Sequence, residues 1–245
     1  MTSYPIQIKP FGVHAILIEW PKDIERSILD DILIFQDFLL RNDFDTKEWE
    51  MVPAYSSLTL INIHKEIDHK AISSQLHNLY GERKEGIKRQ THLWRLPVCY
   101  DAEFGIDLEE VSGHTGKSIE QIIKLHSTST YTVYGIGFLP GFMYLGGVPK
   151  DLETPRKTTP RLNVKKGSVG LARKQTGIYP QDSPGGWNII GNCPIPLFNP
   201  EKENPCFVSV GDSIQFYSIT RAQFDLHTIQ AEVGLVLLKK ESTSA

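Results

Sequence analysis

Two arginines, Arg156 and Arg161, occupy equivalent places in a doubled Thr-Pro-Arg string, Thr154-Pro-Arg-Lys-Thr-Thr-Pro-Arg161. Each proline biases the residue before it toward extended angles. Both guanidinium groups therefore stand on a stiff loop, and their planar forks suit carboxylate or phosphate. Two readings stand: an anion clamp, or two surface arginines in structural salt bridges. Downstream, Gln175-Thr-Gly-Ile-Tyr-Pro180 sets an amide, a hydroxyl and a phenol around a glycine. Gln175, Thr176 and Tyr179 can hold an amide-bearing ligand by neutral hydrogen bonds. The other reading is a tight turn with a buried tyrosine, which the sequence favours for Tyr179 but not for Gln175 and Thr176. In Ser183-Pro-Gly-Gly-Trp187, the adjacent N–H groups of Gly185 and Gly186 can form a small anion nest. Trp187 floors a pocket or plugs the core, and core is the safer expectation for so large a ring. Phe138, Pro140, Phe142 and Tyr144 crowd one loop, which lines a pocket, presents a partner face or forms a buried crossover. His126 closes a short helix, where a positive imidazole favours the C-terminus. That structural role is expected rather than catalysis. Lys165 and Lys166 read as a solvated turn.

These residues lie in the part of the chain that needs the most irregular backbone. Sixteen of the 19 glycines and 11 of the 15 prolines follow residue 90, which predicts two regions of different architecture. In the first, Ile6–Ile8, Ala15–Trp20, Met51–Ala54 and Ser57–Ile63 read as strands. Asp23–Arg41 reads as a helix, with apolar residues at three- and four-residue steps. A second helix starts at the N-cap Asp68 and stops at Gly81. The order predicts helices on one face of an antiparallel sheet, an α+β sandwich. The charged stretch from Gly81 to Gln90 marks the boundary. Beyond it, one helix is expected over Ser118–His126, with a capping box of Ser118 and Gln121. Short strands are expected at Leu93–Val98, Thr130–Tyr134, Ser168–Ala172, Phe207–Val210, Ser213–Ile219 and Ala231–Leu238, forming a barrel or sandwich. The predicted organisation is residues 1–88, residues 89–240, and a frayed tail at 241–245.

Composition narrows the function. Hydrophobic residues make up 40% of the 245, enough for a normal core. The net charge of −3 argues against a general nucleic-acid binder. Cys99, Cys193 and Cys206 form no C-x-x-C pair, which suggests reduced thiols. The N-terminal residues lack the pattern of a signal peptide, and no apolar run approaches the ~18 residues of a membrane span. A soluble, cytoplasmic protein is expected. Gly81 and Gly86 have the spacing of a phosphate loop, but Ile87 and Lys88 follow where Lys and Ser/Thr belong. Gly135, Gly137 and Gly141 miss the dinucleotide pattern by one residue, and neither a G-x-S-x-G elbow nor zinc-spaced Cys/His pairs occur.

The strings GFLPGFMYLGGVP, PRKTTPR, GSVGLA, QTGIYP and SPGGW, together with Pro53–Thr59, Pro97–Asp101 and Phe104–Val111, cover nearly the whole chain in order. The chain resembles one bacterial family, known as the B subunit of 5-oxoprolinase, the kinase inhibitor KipI and allophanate hydrolase subunit 1. The resemblance implies a small α+β domain followed by a cyclophilin-like β-barrel, without implying prolyl isomerase activity. It also implies two companions, a KipA-like C subunit and a LamB/YcsF-like A subunit, and kinship with the carboxyltransferase part of urea carboxylase. The implied reaction is ATP-dependent opening of 5-oxo-L-proline to L-glutamate, with ATP activating the lactam oxygen before water attacks. Arg156 and Arg161 would then steady the substrate carboxylate and phosphoryl charges, Gln175 and Thr176 the amide. No acid or base is well placed and no nucleotide motif is present, so the chain alone is expected to be inactive. Two other readings remain: inhibition of a sensor histidine kinase through the apolar loop, and membership of an allophanate hydrolase or urea-pathway enzyme. The chain departs from the family's usual residues at Lys165-Lys166, Arg173-Lys174 and Asn192-Cys193. The last pair puts one arginine contact in doubt, and the other two make the surface near the site more basic.

Overall fold

Alternating apolar residues and two amphipathic runs build the first part of the chain. The computed structural model describes residues 4–42, 44–83, 90–235 and 238–244. Strand β1 (Gln7–Pro10), strand β2 (Ala15–Glu19), helix α1 (Arg26–Leu40), strand β3 (Trp49–Ala54), strand β4 (Ser57–Asn62) and helix α2 (His69–Glu82) follow in order. The sheet order is β1-β2-β4-β3, antiparallel throughout. Ile16, Ile18, Leu58 and Leu60 point to one face and bury against Phe35 and Leu39 of α1 and Leu76 of α2. Asp68 caps α2, accepting from the N–H groups of Lys70 and Ala71 at 3.0 and 3.1 Å. The helix runs past the expected stop at Gly81 to Glu82. The next residue is tied back, since buried Asp31 accepts from Arg83 Nη2 (2.8 Å), Trp20 Nε1 (2.7 Å) and the Tyr80 hydroxyl (2.6 Å). The chain divides into two compact units, and the second spans Thr91–Thr243. The expected boundary at residue 88, like Gly86 of the spaced glycine pair, lies outside the described residues.

The second part contains strand β5 (Gln90–Cys99), helix α3 (Leu108–Thr115), helix α4 (Ile119–Thr128), strands β6 (Thr130–Ile136), β7 (Met143–Gly146), β8 (Arg161–Val164), β9 (Ser168–Ala172), β10 (Gln175–Ile178), β11 (Ser183–Gly185), β12 (Asn188–Asn192) and β13 (Ser213–Ile219), helix α5 (Arg221–Glu232) and strand β14 (Lys239–Ser244). Seven strands close into a barrel in the order β12-β9-β10-β7-β6-β13-β5, sealed where Asn192 of β12 meets Cys99 of β5. Leu96, Val98, Tyr131, Val133, Leu171 and Phe216 are among the side chains filling it. The expected α+β class, a helix-covered antiparallel sheet followed by a barrel, is the architecture found. Strands β8 and β11 form a separate ribbon.

Several expected elements change. Phe207–Val210 is a loop, because Asp212 gathers it: its carboxylate accepts from Ser209 N (3.0 Å), His92 N (2.9 Å) and Trp94 Nε1 (3.0 Å). In place of a strand at Ala231–Leu238, Ala231 and Glu232 end α5, whose capping box is Thr220 and Gln223; Val236 and Leu237 lie outside the described residues. Lys239–Ser244 is a strand beside β5, not a frayed tail. Helix α3 was not anticipated, although Glu109 and Glu110 in its first turn and left-handed Gly116 after its end are ordinary helix signals. Helix α4 carries the predicted capping box.

Candidate functional site

Strands β9 and β10 place Gly170 opposite Gly177. A Cβ on Gly170 would stand 2.9 Å from the Trp187 Cβ, and one on Gly177 would stand 3.1 Å from the Trp187 ring and 2.9 Å from the Met143 carbonyl. The paired glycines thus let the indole lie against the barrel wall. Phe142 meets Trp187 and Tyr179 edge-on at 5.5 and 5.4 Å, and Tyr144 at 4.9 Å. These rings form a small apolar cluster separate from the barrel core. Above them opens a cavity of about 410 Å³, walled by Phe138, Phe142, Tyr144, Tyr179 and Trp187, rimmed by Gly185 and Gly186, and reached by Arg156 and Lys157. Phe138 stands on its rim, mostly exposed, at φ 70°. Left-handed backbone costs a non-glycine residue roughly 1–2 kcal/mol.

The loop bearing the doubled Thr-Pro-Arg is pinned along its length. Arg173 N donates to Thr154 O (2.6 Å), Asn188 Nδ2 to Pro155 O (2.8 Å) and Lys157 N to Gly186 O (2.8 Å). Its charged side chains converge on Asp107, the residue before α3, which is 3% exposed. Arg161 grips both carboxylate oxygens at 2.9 and 2.6 Å, Lys157 Nζ stands 2.8 Å away and also pairs with Glu110, and Ile189 N donates at 2.7 Å. Burial raises the Asp107 pKa, but these partners outweigh it and bring it below the usual carboxylate range. Arg156 differs. Its guanidinium lies 5.8 Å from the centre of the Trp187 ring and has no carboxylate partner among the described residues.

The structure therefore brings together Arg156, Tyr179, Gly185, Gly186, Phe138, Phe142, Tyr144 and Trp187. It separates the others. Arg161 takes the salt-bridge reading, its fork held by Asp107. Thr176 is fully buried and donates to Gly170 O at 3.0 Å, so it cannot meet a ligand in the cavity. Gln175 lies in β10 between Gly146 and Ala172, away from the cavity lining, and Pro140 is exposed outside it. Gly185 and Gly186 lack the positive φ a nest alternates with; instead, a Cβ on Gly185 would stand 2.3 Å from the Tyr179 hydroxyl, so Gly185 makes room for that ring. Trp187 is both buried and pocket floor. Tyr179 is 2% exposed, as expected, and burial raises its pKa despite the Trp187 backbone and nearby Arg156, so the phenol stays neutral.

His126 corrects the expected imidazolium. It is fully buried, accepting at Nδ1 from the Tyr100 hydroxyl (2.7 Å) and donating from Nε2 to Thr176 Oγ1 (3.0 Å), whose own hydroxyl donates a hydrogen bond to Gly170 O. Burial brings its pKa down to about 3, so the ring is neutral. The unusual basic residues do not load the cavity either: Lys165 Nζ pairs with Asp182 at 2.9 Å, and Arg173 occupies the tight β9–β10 turn at φ 53°. Sequence reading missed Asp107 and Lys157 as members of the site. The signal at hand was a lysine beside Arg156 and an acid just before a helix, but only the fold joins positions fifty residues apart. No cluster of His, Cys, Asp and Glu among the described residues could hold a metal, and no helix among them is long and apolar enough to cross a membrane.

A closed barrel with a glycine-floored aromatic cavity and a preceding antiparallel sheet defines the class. The chain belongs to the family of the carboxyltransferase domain, subdomain C and D, whose model matches residues 6–208. It is similar to the 5-oxoprolinase B subunit of Bacillus subtilis (strain 168), 33% identical over 236 residues that cover 92% of this chain and 97% of that protein. It is similar to the crystal structure of TTHA0988 with TM-score 0.71 at 32% identity, covering 84% of this chain but 40% of that longer chain. The K. lactis urea amidolyase shares the fold at TM-score 0.82 and 17% identity, covering 98% of this chain and 16% of that one.

Proposed function

We propose that this chain is the B subunit of an ATP-dependent 5-oxoprolinase and that its aromatic cavity receives 5-oxo-L-proline. The observation that carries this reading is one uncompensated guanidinium, Arg156, over a floor of aromatic rings. 5-Oxo-L-proline is a compact ring with a planar amide, a short apolar edge of two methylenes and one carboxylate. The rings of Trp187, Phe142 and Tyr144 give such a body a stacking surface, and Arg156 gives its carboxylate a planar fork. The neutral Tyr179 phenol can donate a hydrogen bond to a carbonyl oxygen.

What the cavity lacks bears equally on the division of labour. Arg161 and Lys157 are occupied by Asp107 and Glu110, and Gly81 lies within helix α2 rather than in a phosphate-cradling loop. The triphosphate of ATP and the groups that move protons therefore come from the companions, the KipA-like C subunit and the LamB/YcsF-like A subunit, in a cytoplasmic assembly. The chain alone holds substrate and turns nothing over. Co-expression with a KipA-like C subunit and a LamB/YcsF-like A subunit, followed by an assay of 5-oxoproline-dependent ADP release, tests the reading. Turnover is expected from the complex and from none of its members singly. A complex that assembles yet releases no ADP with 5-oxoproline sinks it.

A further inference from the structure

We infer that Asp107 is a positioning and specificity residue: together with Glu110 it neutralises Arg161 and Lys157, and by pinning the segment beside Arg156 it leaves the cavity one net positive charge and so selects a monocarboxylate over a polyanion. This rests on the proposal above that the cavity is the ligand site, not on the identity of the reaction.

The charge balance follows from the contacts. The loop carries three cations, Arg156, Lys157 and Arg161; two carboxylates, Asp107 and Glu110, are bound to the last two, leaving Arg156. Asp107 is nearly inaccessible and saturated, with both oxygens engaged by Arg161, one also by Lys157 and the other by the Ile189 N–H. It therefore cannot be a catalytic base, since its oxygens are already engaged and it does not line the cavity. Its effect must pass through the loop. Lys157 and Arg161 flank the segment Thr158–Pro160, and Arg156 adjoins Lys157, so the carboxylate fixes where the free guanidinium stands over Trp187. The charge also matters by sign. A buried carboxylate facing two cations screens them from a ligand; without it, Arg161 becomes available to phosphate groups, which cations bind well, while Lys157 keeps only Glu110.

The test replaces Asp107→Asn in the full chain and follows Trp187 fluorescence, with Trp187→Phe as the blank for the other three tryptophans. Three ligands are titrated separately: 5-oxoproline, cyclopentanecarboxylate and inorganic pyrophosphate. The unaltered chain is expected to bind the two monocarboxylates about tenfold more tightly than pyrophosphate, and Asp107→Asn to abolish that preference by gaining pyrophosphate affinity about tenfold. Unfolding cannot produce a gain of affinity. A preference unchanged by the substitution overturns the inference, as does an unaltered chain that binds pyrophosphate best. If Asp107→Asn does not fold, Lys157→Gln keeps the Arg161 fork and unpins one end of the loop. It should raise the 5-oxoproline KM of the assembled complex about threefold with kcat unchanged; a fall in kcat at constant KM would instead mark a purely structural role and overturn the inference. Cyclopentanecarboxylate separates the two proposals. It has no lactam to open, so its binding together with an assembled complex that releases no ADP with 5-oxoproline refutes the oxoprolinase reading and supports this one, whereas 5-oxoproline turnover with an anion preference unchanged in Asp107→Asn does the reverse.

Discussion

Arg156 and Arg161 share the same tripeptide and have opposite fates, which shows how far residue type alone reaches. Arg161 is a structural cation because Asp107 holds its fork; Arg156 forms no ion pair with a carboxylate among the described residues and lies over the Trp187 ring. Arg161→Ala should lower stability by about 2 kcal/mol, because it strips a buried carboxylate of two charge-assisted bonds. Arg156→Ala should leave the denaturant midpoint unchanged and abolish ligand quenching of Trp187. Equal midpoints for the two variants would refute the division. The same scale holds a pH prediction. His126 is folded with a pKa of about 3 against an ordinary 6.5, so the unfolded chain takes up a proton that the native state refuses. Stability is full above pH 6.5 and falls as pH drops, by about 1.4 kcal/mol per unit until the folded pKa is reached. Urea midpoints at pH 6 and pH 5 isolate this slope, because carboxylates remain largely ionised there. His126→Gln should flatten it.

At the scale of elements, the site depends on two strands that give up side chains. Gly170 and Gly177 face each other across β9 and β10, and the indole of Trp187 takes the room. Gly177→Ala should push the ring off the barrel wall, costing about 1–3 kcal/mol by overpacking and shifting Trp187 emission toward that of exposed indole. An unshifted spectrum would mean the ring has another place to sit. Only one of the two strands is legible in the sequence: Ser168–Ala172 matches its expected bounds, whereas Gln175–Ile178 reads as a turn or ligand-holding string, and the glycines give no hint of which ring they admit. Helices α3 and α5 were missed for a different reason. Their polar faces outweigh their apolar ones, and α5 buries no residue fully, so periodicity was weak and only capping residues marked them.

Each of the two units has a core of its own, and each holds a buried acid that gathers distant segments: Asp31 in the first unit and Asp212 in the second. Asp31 joins the end of β2, helix α1 and the exit from α2 through Trp20, Tyr80 and Arg83. Asp31→Asn leaves Arg83 buried without its charge partner, at a cost of about 3 kcal/mol. Amide exchange should speed up at Ile16, Ile18, Leu58 and Leu60 while Val169 and Leu171 keep their protection. Uniform loss across both sets would show that the two cores act as one.

Local chemistry in the chain settled what depends on neighbours in sequence: the strand–strand–helix repeat, the caps at Asp68 and Ser118, the aromatic and glycine-rich character of 134–191, and the family. Tertiary structure alone decided which groups meet. Asp107 reaches Arg161 across fifty-four positions and Thr176 meets His126 across fifty, so free and neutralised arginines, or wall and core hydroxyls, look alike until the barrel closes. The physical reason is that charge and burial belong to surroundings rather than to residue types, and those surroundings are assembled from segments far apart in the chain.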